Sequence, residues 1–265
     1  MTSRRGEPER FDPSVAAPAA LYLALHRGNS GDLEFYQRRC EGARRILELG
    51  AGAGRLAIPL AAGGAEVVAL ELNNEMRALG EAATRRAVHA QQLSPTALRW
   101  RGGDMCTFSF GSERFERVLI PYNTLYCLPD QAAQRACLAR AAAHLTEGGS
   151  LLLDGYQLPD PELYEFCGDD DFEAIDELSL SGERVVVEEL DEHWQEEQRC
   201  LLHYRYRWPD GRSVGYALAH RYLPLAELEE LLSALGLRCV ERWGDFPAEP
   251  WEPEAPRWIV EARLK

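Results

Sequence analysis

The sequence predicts an α/β protein whose centre is a doubly wound, mostly parallel sheet. Three observations carry that expectation. From residue 44 to 156, short runs that are apolar throughout alternate with segments of helical period. Strands without a polar side need cover on both faces, as in parallel sheets flanked by helices. A glycine-rich turn at 50–54 lies between the first run and the first helix. After Tyr156 the pattern changes to longer, two-sided strands, the mark of an antiparallel insertion.

Residues 1–20 set Arg4, Arg5 and Arg10 beside Glu7, Glu9 and Asp12 without an apolar core, and read as a leader, not a secretory signal. "RRILEL" (44–49) reads as the first strand and 54–63 as a helix in which Pro59 is a candidate kink. "AEVVALE" (65–71) is the second strand, and Asn73 or Asn74 caps a helix reaching about Gln92. "LRWRGGDM" (98–105) and "RFERVLIPYN" (114–123) are strands three and four. Asp130 caps a helix over 131–145, a "TEGG" turn follows, and "SLLLDGY" (150–156) is the fifth strand. Right-handed crossovers make these a doubly wound sheet, with a ligand beyond the carboxyl ends of its strands.

Three strands then form a meander: 183–194, 199–208 and 212–223, the last two joined by a "PDG" hairpin. On the middle one, Tyr204, Tyr206 and Trp208 share one face, while His203, Arg205 and Arg207 share the other. Either face could cover a substrate or simply pack. Pro224 starts a helix with leucines at 225, 228, 231, 232 and 235, and Gly236 ends it. Strands near 237–243 and 257–264 complete the sheet. The expected division is a leader and helical cap (1–41), a core (42–157), an inserted antiparallel lid or dimerisation meander (158–223), and a C-terminal helix with closing strands (224–265).

Composition excludes several functions. Among 265 residues the formal charge is −14, which argues against a nucleic-acid partner, since phosphate contacts need a basic stripe. No stretch approaches the ~20 apolar residues of a membrane span, so a cytoplasmic protein is expected. Seven cysteines without a CxxC pair point to reduced, mostly buried thiols, and no zinc pattern appears. The basic residues are 28 arginines and the single Lys265, which excludes a P-loop and Schiff-base chemistry. "GDDDFEAIDE" (168–177) reads as a solvated acidic loop.

The turn "ELGAGAG" admits three readings. A dinucleotide fingerprint would need a third glycine where Arg55 stands. A purely structural turn leaves three glycines in five residues without a purpose. The third reading follows from charge: Glu48, two residues before the turn, would repel a pyrophosphate and welcome a cation. Glu71, 23 residues after Glu48 at the end of the second strand, stands at the usual distance for a carboxylate that accepts from ribose hydroxyls. A ligand with a ribose and a cation but no phosphate fits, and S-adenosylmethionine is such a ligand.

Residues 42–156 resemble a class I S-adenosylmethionine-dependent methyltransferase. "LELGAGAGR" is similar to that family's first motif and "VVALELNNEM" to its second, "GDM" (103–105) occupies the adenine position, and "HLTEGGSLLLD" (144–154) matches a late turn and strand. The resemblance implies a Rossmann-like, mostly parallel seven-stranded sheet with an N-terminal helical segment and an inserted meander. It implies that Glu48 and the backbone at Gly50, Ala51 and Gly52 hold the methionine end, and that Glu71 binds the ribose. Leu72 and Met76 would pack near the adenine, Asp104 would accept from its amino group, and Met105 would lie over the ring. Pro121, Tyr122 and Asn123 would line the cofactor from the other side. Core packing is the alternative for both methionines.

"RGNSGDLEFYQRR" (27–39) and the late meander resemble bacterial small-molecule methyltransferases, including enzymes that N- or O-methylate natural products. In that group an aromatic closes over the methionine carboxylate, which implies Tyr22 or Tyr36 here. The meander would serve as a lid or as the face of a homodimer. Candidates for orienting or deprotonating a small-molecule acceptor are Tyr126, Tyr156 and His220, with Asp154 and Arg221 as substrate-binding residues. A magnesium site at Asp154 lacks partner carboxylates, so no metal is expected. The rival readings are a non-catalytic S-adenosylmethionine sensor or scaffold, and a nicotinamide oxidoreductase.

Overall fold

A computed structural model describes residues 9–158, 171–246 and 248–265. In chain order the first elements are α1 (Ala19–Leu25), α2 (Asp32–Arg39), β1 (Arg45–Leu49), α3 (Ala57–Ala62), β2 (Glu66–Glu71), α4 (Asn74–His89), β3 (Leu98–Gly102) and β4 (Phe115–Ile120). A 3-10 turn over Thr124–Cys127 leads to α5 (Gln131–Ala143) and β5 (Leu145–Tyr156). Next come β6 (Glu173–Leu180), β7 (Glu183–Trp194), β8 (Arg199–Arg207) and β9 (Ser213–Arg221). The last elements are α6 (Leu225–Ala234), β10 (Leu237–Asp245), the two-residue β11 (Glu249–Pro250) and β12 (Arg257–Leu264). They form two compact units: Met1–Arg27 with Asp160–Tyr222, and Gly28–Pro159 with Leu223–Lys265. Residues 28–41, grouped with the leader in the sequence, thus belong to the larger unit, because Phe35 and Tyr36 are buried in its core.

In the larger unit the strand order is β11-β10-β12-β5-β4-β1-β2-β3. β5, β4, β1, β2 and β3 are mutually parallel, and β12, β10 and β11 join antiparallel. The expected seven strands are present, and β11 adds a short edge. Ile46, Val67, Leu119, Leu152 and Ile259 form the spine of the core, with Leu56, Ala57 and Leu60 of the α3 region and Phe35 of α2 packed on it. Asn73, not Asn74, caps α4 by accepting from Glu75 and Met76 N–H, and Asp130 caps α5 by accepting from Ala133 N–H. Leu225, Leu228, Leu231 and Leu232 make the buried stripe of α6, and Gly236 follows it at φ 77°.

Two boundaries differ from the sequence reading. β3 stops at Gly102, because Asp104 captures the Cys106 N–H with its carboxylate and turns the chain. β5 begins at Leu145, with the "TEGG" residues inside it. Opposite Phe115–Arg117 it advances from Leu145 to Ser150, so the glycines make a bulge within a strand instead of a turn before one.

The smaller unit holds the antiparallel sheet β6-β7-β8-β9. Part of the expected acidic loop is in fact the edge strand β6; residues 168–170 lie outside the described residues. All of β6 but Leu178 and Leu180 is exposed, so acidic residues, which discourage edge-to-edge pairing, mask the alternation. One face, with Tyr204, Tyr206, Tyr216, Val185 and Val187, packs against Leu21, Tyr22 and Leu25 of α1. On the other face Phe11 sits against Gly215, and its N–H donates to Nδ1 of the buried His203. Of the six described cysteines only Cys40 and Cys137 are buried; Cys167 lies outside the described residues.

Candidate functional site

The strand order reverses between β1 and β4: β2 and β3 extend to one side and β4 and β5 to the other. A crevice forms at such a point beyond the carboxyl ends of the strands. β1 delivers Glu48 and the glycine turn to it. Gly50 and Ala51 N–H both donate to Leu70 O at 3.0 Å, tying the turn to the end of β2. Gly50 has φ 70°, and a Cβ there would meet the Thr124 side chain at 2.3 Å. At Gly52, φ is 56° and nothing stands within 4 Å of where a Cβ would lie, so this backbone is open to a ligand.

Glu71 closes the turn from the β2 side. Its Oε2 accepts from Gly52 N–H at 2.8 Å and its Oε1 from Asn73 N–H at 2.7 Å. One carboxylate thereby holds both the glycine turn and the start of α4. Each oxygen keeps a lone pair, so acceptance from ribose hydroxyls remains open to it. Next to it Leu72 is 69% exposed while Met76 is buried. Met76 is thus mainly a packing residue, and Leu72 offers free apolar surface. Asp104 and Met105 are half-buried in the turn after β3.

Glu48 is 3% exposed, and its Oε2 has no hydrogen-bond partner among the described residues. Burial pushes its carboxyl up to about 8; Glu71 reinforces the shift, while Arg55 and the Ala57 N–H oppose it. An orphaned buried carboxyl beside an open glycine backbone suits a cationic, phosphate-free ligand.

The wall from β4 is a strained turn. Tyr122 and Asn123 are consecutive non-glycine residues at φ 57°, a conformation that persists only when its surroundings enforce it. Tyr122 N–H donates to both Asp154 oxygens, at 2.9 and 3.1 Å, and Asn123 Oδ1 accepts from Tyr156 N–H at 2.8 Å. Tyr36 O–H donates to Asp154 Oδ1 at 2.5 Å. The adjoining Pro121 is buried.

These contacts correct several expectations. Tyr36 is no lid: its ring is fully buried against Phe35 and Phe246, and its hydroxyl is engaged by Asp154. Asp154 is 1% exposed and accepts from Tyr122 and Tyr36, so its contacts here position the turn. Tyr126 is fully buried, and its hydroxyl donates to the Tyr156 and Leu223 carbonyls, which gives it a packing role. The Tyr156 ring rests edge-on against Tyr126 at 4.9 Å.

Three candidates belong to the smaller unit. The Tyr22 ring lies 4.2 Å from that of His26 within the α1 packing. His220 is buried, and desolvation lowers it to about 4, with His26 adding to the shift, so its imidazole is neutral and a weak base at pH 7. Arg221 donates to Gln198 Oε1 at 2.6 Å.

The sequence reading missed Arg55 and Asp32. Arg55 Nη1 meets Asp32 Oδ1 at 2.7 Å, and the guanidinium lies 5.3 Å from the Tyr122 ring centroid. Asp32 is 3% exposed and also accepts from Asn29 N–H. The pair ties the start of α2 to the glycine turn and the Tyr122 wall. The available signal was an arginine directly after a glycine turn, and the acidic Asp32 of the "SGD" segment upstream.

Comparison with known proteins agrees with this geometry. A methyltransferase domain family matches residues 46–149. The cypemycin N-terminal methyltransferase of a Streptomyces species is 30% identical over 220 residues, covering 82% of each chain. The dTDP-3-amino-3,6-dideoxy-α-D-glucopyranose N,N-dimethyltransferase of Streptomyces fradiae is 25% identical over 229 residues, covering 83% of each. The structure of the CcbJ methyltransferase from Streptomyces caelestis superimposes with a TM-score of 0.75 at 25% identity, covering 90% of this chain and 97% of that one. With its parallel core, its antiparallel insertion and its motif order, the chain belongs to the class I S-adenosylmethionine-dependent methyltransferases.

Proposed function

We propose that this enzyme methylates the nitrogen of a small-molecule amine. Methyl transfer is an in-line displacement at a sulfonium carbon; the cofactor supplies a methyl group on an excellent leaving group, and alignment with exclusion of water carries much of the acceleration. A hydroxyl acceptor also needs a base within hydrogen-bond reach, whereas an amine needs only to arrive unprotonated. The observation that carries the reading is that Tyr126, expected to orient or deprotonate the acceptor, and Asp154, expected to bind it, are both buried and bonded to their own chain.

Two relatives named for N-methylation, of an amino sugar nucleotide and of the cypemycin N-terminus, support the same acceptor chemistry. In this reading Glu48 and the turn at Gly50, Ala51 and Gly52 receive the methionine end. Glu71 takes the ribose, Leu72 and Asp104 frame the adenine with Met105, and the Pro121–Tyr122–Asn123 wall aligns the sulfonium. The acidic balance favours a small molecule over nucleic acid as acceptor, and a cytoplasmic setting. No helix of the described residues is long and apolar enough to cross a membrane. The four-stranded sheet would meet a second copy of the chain, a reading that the exposed Ile175 and Val214 on its edge strands support.

The test is a matched pair of acceptors that differ only in an amino or hydroxyl group at the same carbon. The amine should be methylated, with a rate that rises with pH until the amine is unprotonated. Equal turnover of the alcohol would overturn the reading.

A further inference from the structure

We propose that cofactor binding displaces a proton from Glu48: a neutral carboxylic acid in the free protein, it becomes the carboxylate that receives the cofactor's ammonium group. The carboxyl O–H breaks, its electron pair stays on the oxygen, and the proton leaves to solvent. This inference rests on the reading above that Glu48 faces the methionine end.

Geometry carries the argument. Glu48 lies in β1 with Ala69 of β2 and Leu119 of β4 in register beside it, so neither neighbouring strand offers a counter-charge at that level. The titratable groups acting on it are Glu71 from the end of β2, Cys40 from the end of α2, and Arg55 from the glycine turn; α3 adds the Ala57 N–H. Glu71 is a like charge. Cys40 is a buried thiol that burial pushes up to about 12, so it stays neutral. Arg55 is the one cation among them, and its guanidinium is paired with Asp32 at 2.7 Å. One Glu48 oxygen is buried and left without a partner among the described residues.

A carboxyl so placed keeps its proton near neutral pH, and its folded-state value of about 8 agrees. A bound ammonium supplies the missing partner and favours the ionised form. The site therefore selects for ligands with a cation: 5′-methylthioadenosine, which lacks the amino-acid end, leaves the proton in place.

Calorimetric titration of the full chain at pH 7 with S-adenosylhomocysteine, in phosphate and in Tris, reads the proton directly, because the two buffers differ in ionisation enthalpy. The expected result is release of about one proton per ligand bound, with affinity rising about tenfold per pH unit between pH 6 and 7.5. 5′-Methylthioadenosine should release none. In Glu48→Gln the proton release and the pH slope should both vanish. Binding of S-adenosylhomocysteine with equal heats in both buffers and no pH slope would overturn the inference and leave the cofactor assignment standing. Undiminished proton release in Glu48→Gln would also overturn it. No binding at any pH would overturn the cofactor assignment itself, and the inference with it.

Discussion

Asp154 is the residue on which the β4 wall depends, and replacing it tests that dependence. In Asp154→Ala the fully buried Tyr36 hydroxyl and the Tyr122 N–H lose their acceptor together. A buried donor left unsatisfied costs ~1–3 kcal/mol, so the loss of two should come to about 2–6 kcal/mol. Tyr122 and Asn123, both at φ 57°, are in a conformation that costs on the order of 1–3 kcal/mol each; without Asp154 the bonds that hold the Tyr122 amide in that conformation are gone, and the turn should relax. Urea denaturation gives the total, and hydrogen exchange at the Tyr122 amide gives the local effect. Tyr36→Phe is the graded control: Asp154 keeps its bonds from Tyr122, and the loss should be about 1–2 kcal/mol. A change within ~0.5 kcal/mol in Asp154→Ala, with the Tyr122 amide as protected as before, would refute the view that Asp154 enforces the turn.

Other consequences follow from single contacts. Tyr126→Phe should lower stability by about 1 kcal/mol, through the lost bonds to two carbonyls, and leave kcat unchanged; a hundredfold fall in kcat at normal stability would return Tyr126 to catalysis. Gly80→Ala would put a Cβ 2.3 Å from the Trp100 ring where α4 crosses β3, and overpacking there should cost ~1–3 kcal/mol in a denaturant melt. Glu48 also sets a pH dependence of folding in the cofactor-free protein. Its folded pKa is raised from 4.5 to about 8, so its favourable contribution is complete below pH 4.5 and is lost as pH rises towards 8. Glu48→Gln should therefore flatten the stability profile between pH 5 and 8 and stabilise the free protein at pH 8 by a few kcal/mol. An unchanged profile would place Glu48 in contact with water.

Much of this was legible in the chain. The runs at 46–49, 67–70 and 118–120, apolar but for Glu48, located parallel strands because a strand covered on both faces has no polar side to show. The glycine turn and Glu71 located the candidate crevice because a fixed spacing follows from one strand, one helix and a second strand. What stayed hidden was of two kinds. Edge strand β6 is acidic and almost entirely exposed, so its sequence carries no burial period. The engagement of Tyr36, Tyr126 and Asp154 depends on partners 118, 30, 97 and 32 residues away. A sequence supplies a tyrosine or an aspartate as a candidate, and only the fold shows which donors and acceptors are already occupied. For the same reason the Arg55–Asp32 pair, 23 residues apart, went unread although both residues flank recognisable motifs.

The central claim is that the crevice over Gly52, closed by Glu71, holds S-adenosylmethionine. It is tested most directly by measuring the affinity of the wild-type chain and of Glu71→Ala for S-adenosylmethionine, with NAD as a parallel ligand. The account predicts that the wild type binds S-adenosylmethionine and not NAD. It predicts that Glu71→Ala weakens binding by ~1–3 kcal/mol, about 5- to 150-fold, as the ribose acceptor and the clamp on the glycine turn are lost together. Wild-type binding of NAD in preference to S-adenosylmethionine, or full affinity in Glu71→Ala, would contradict it.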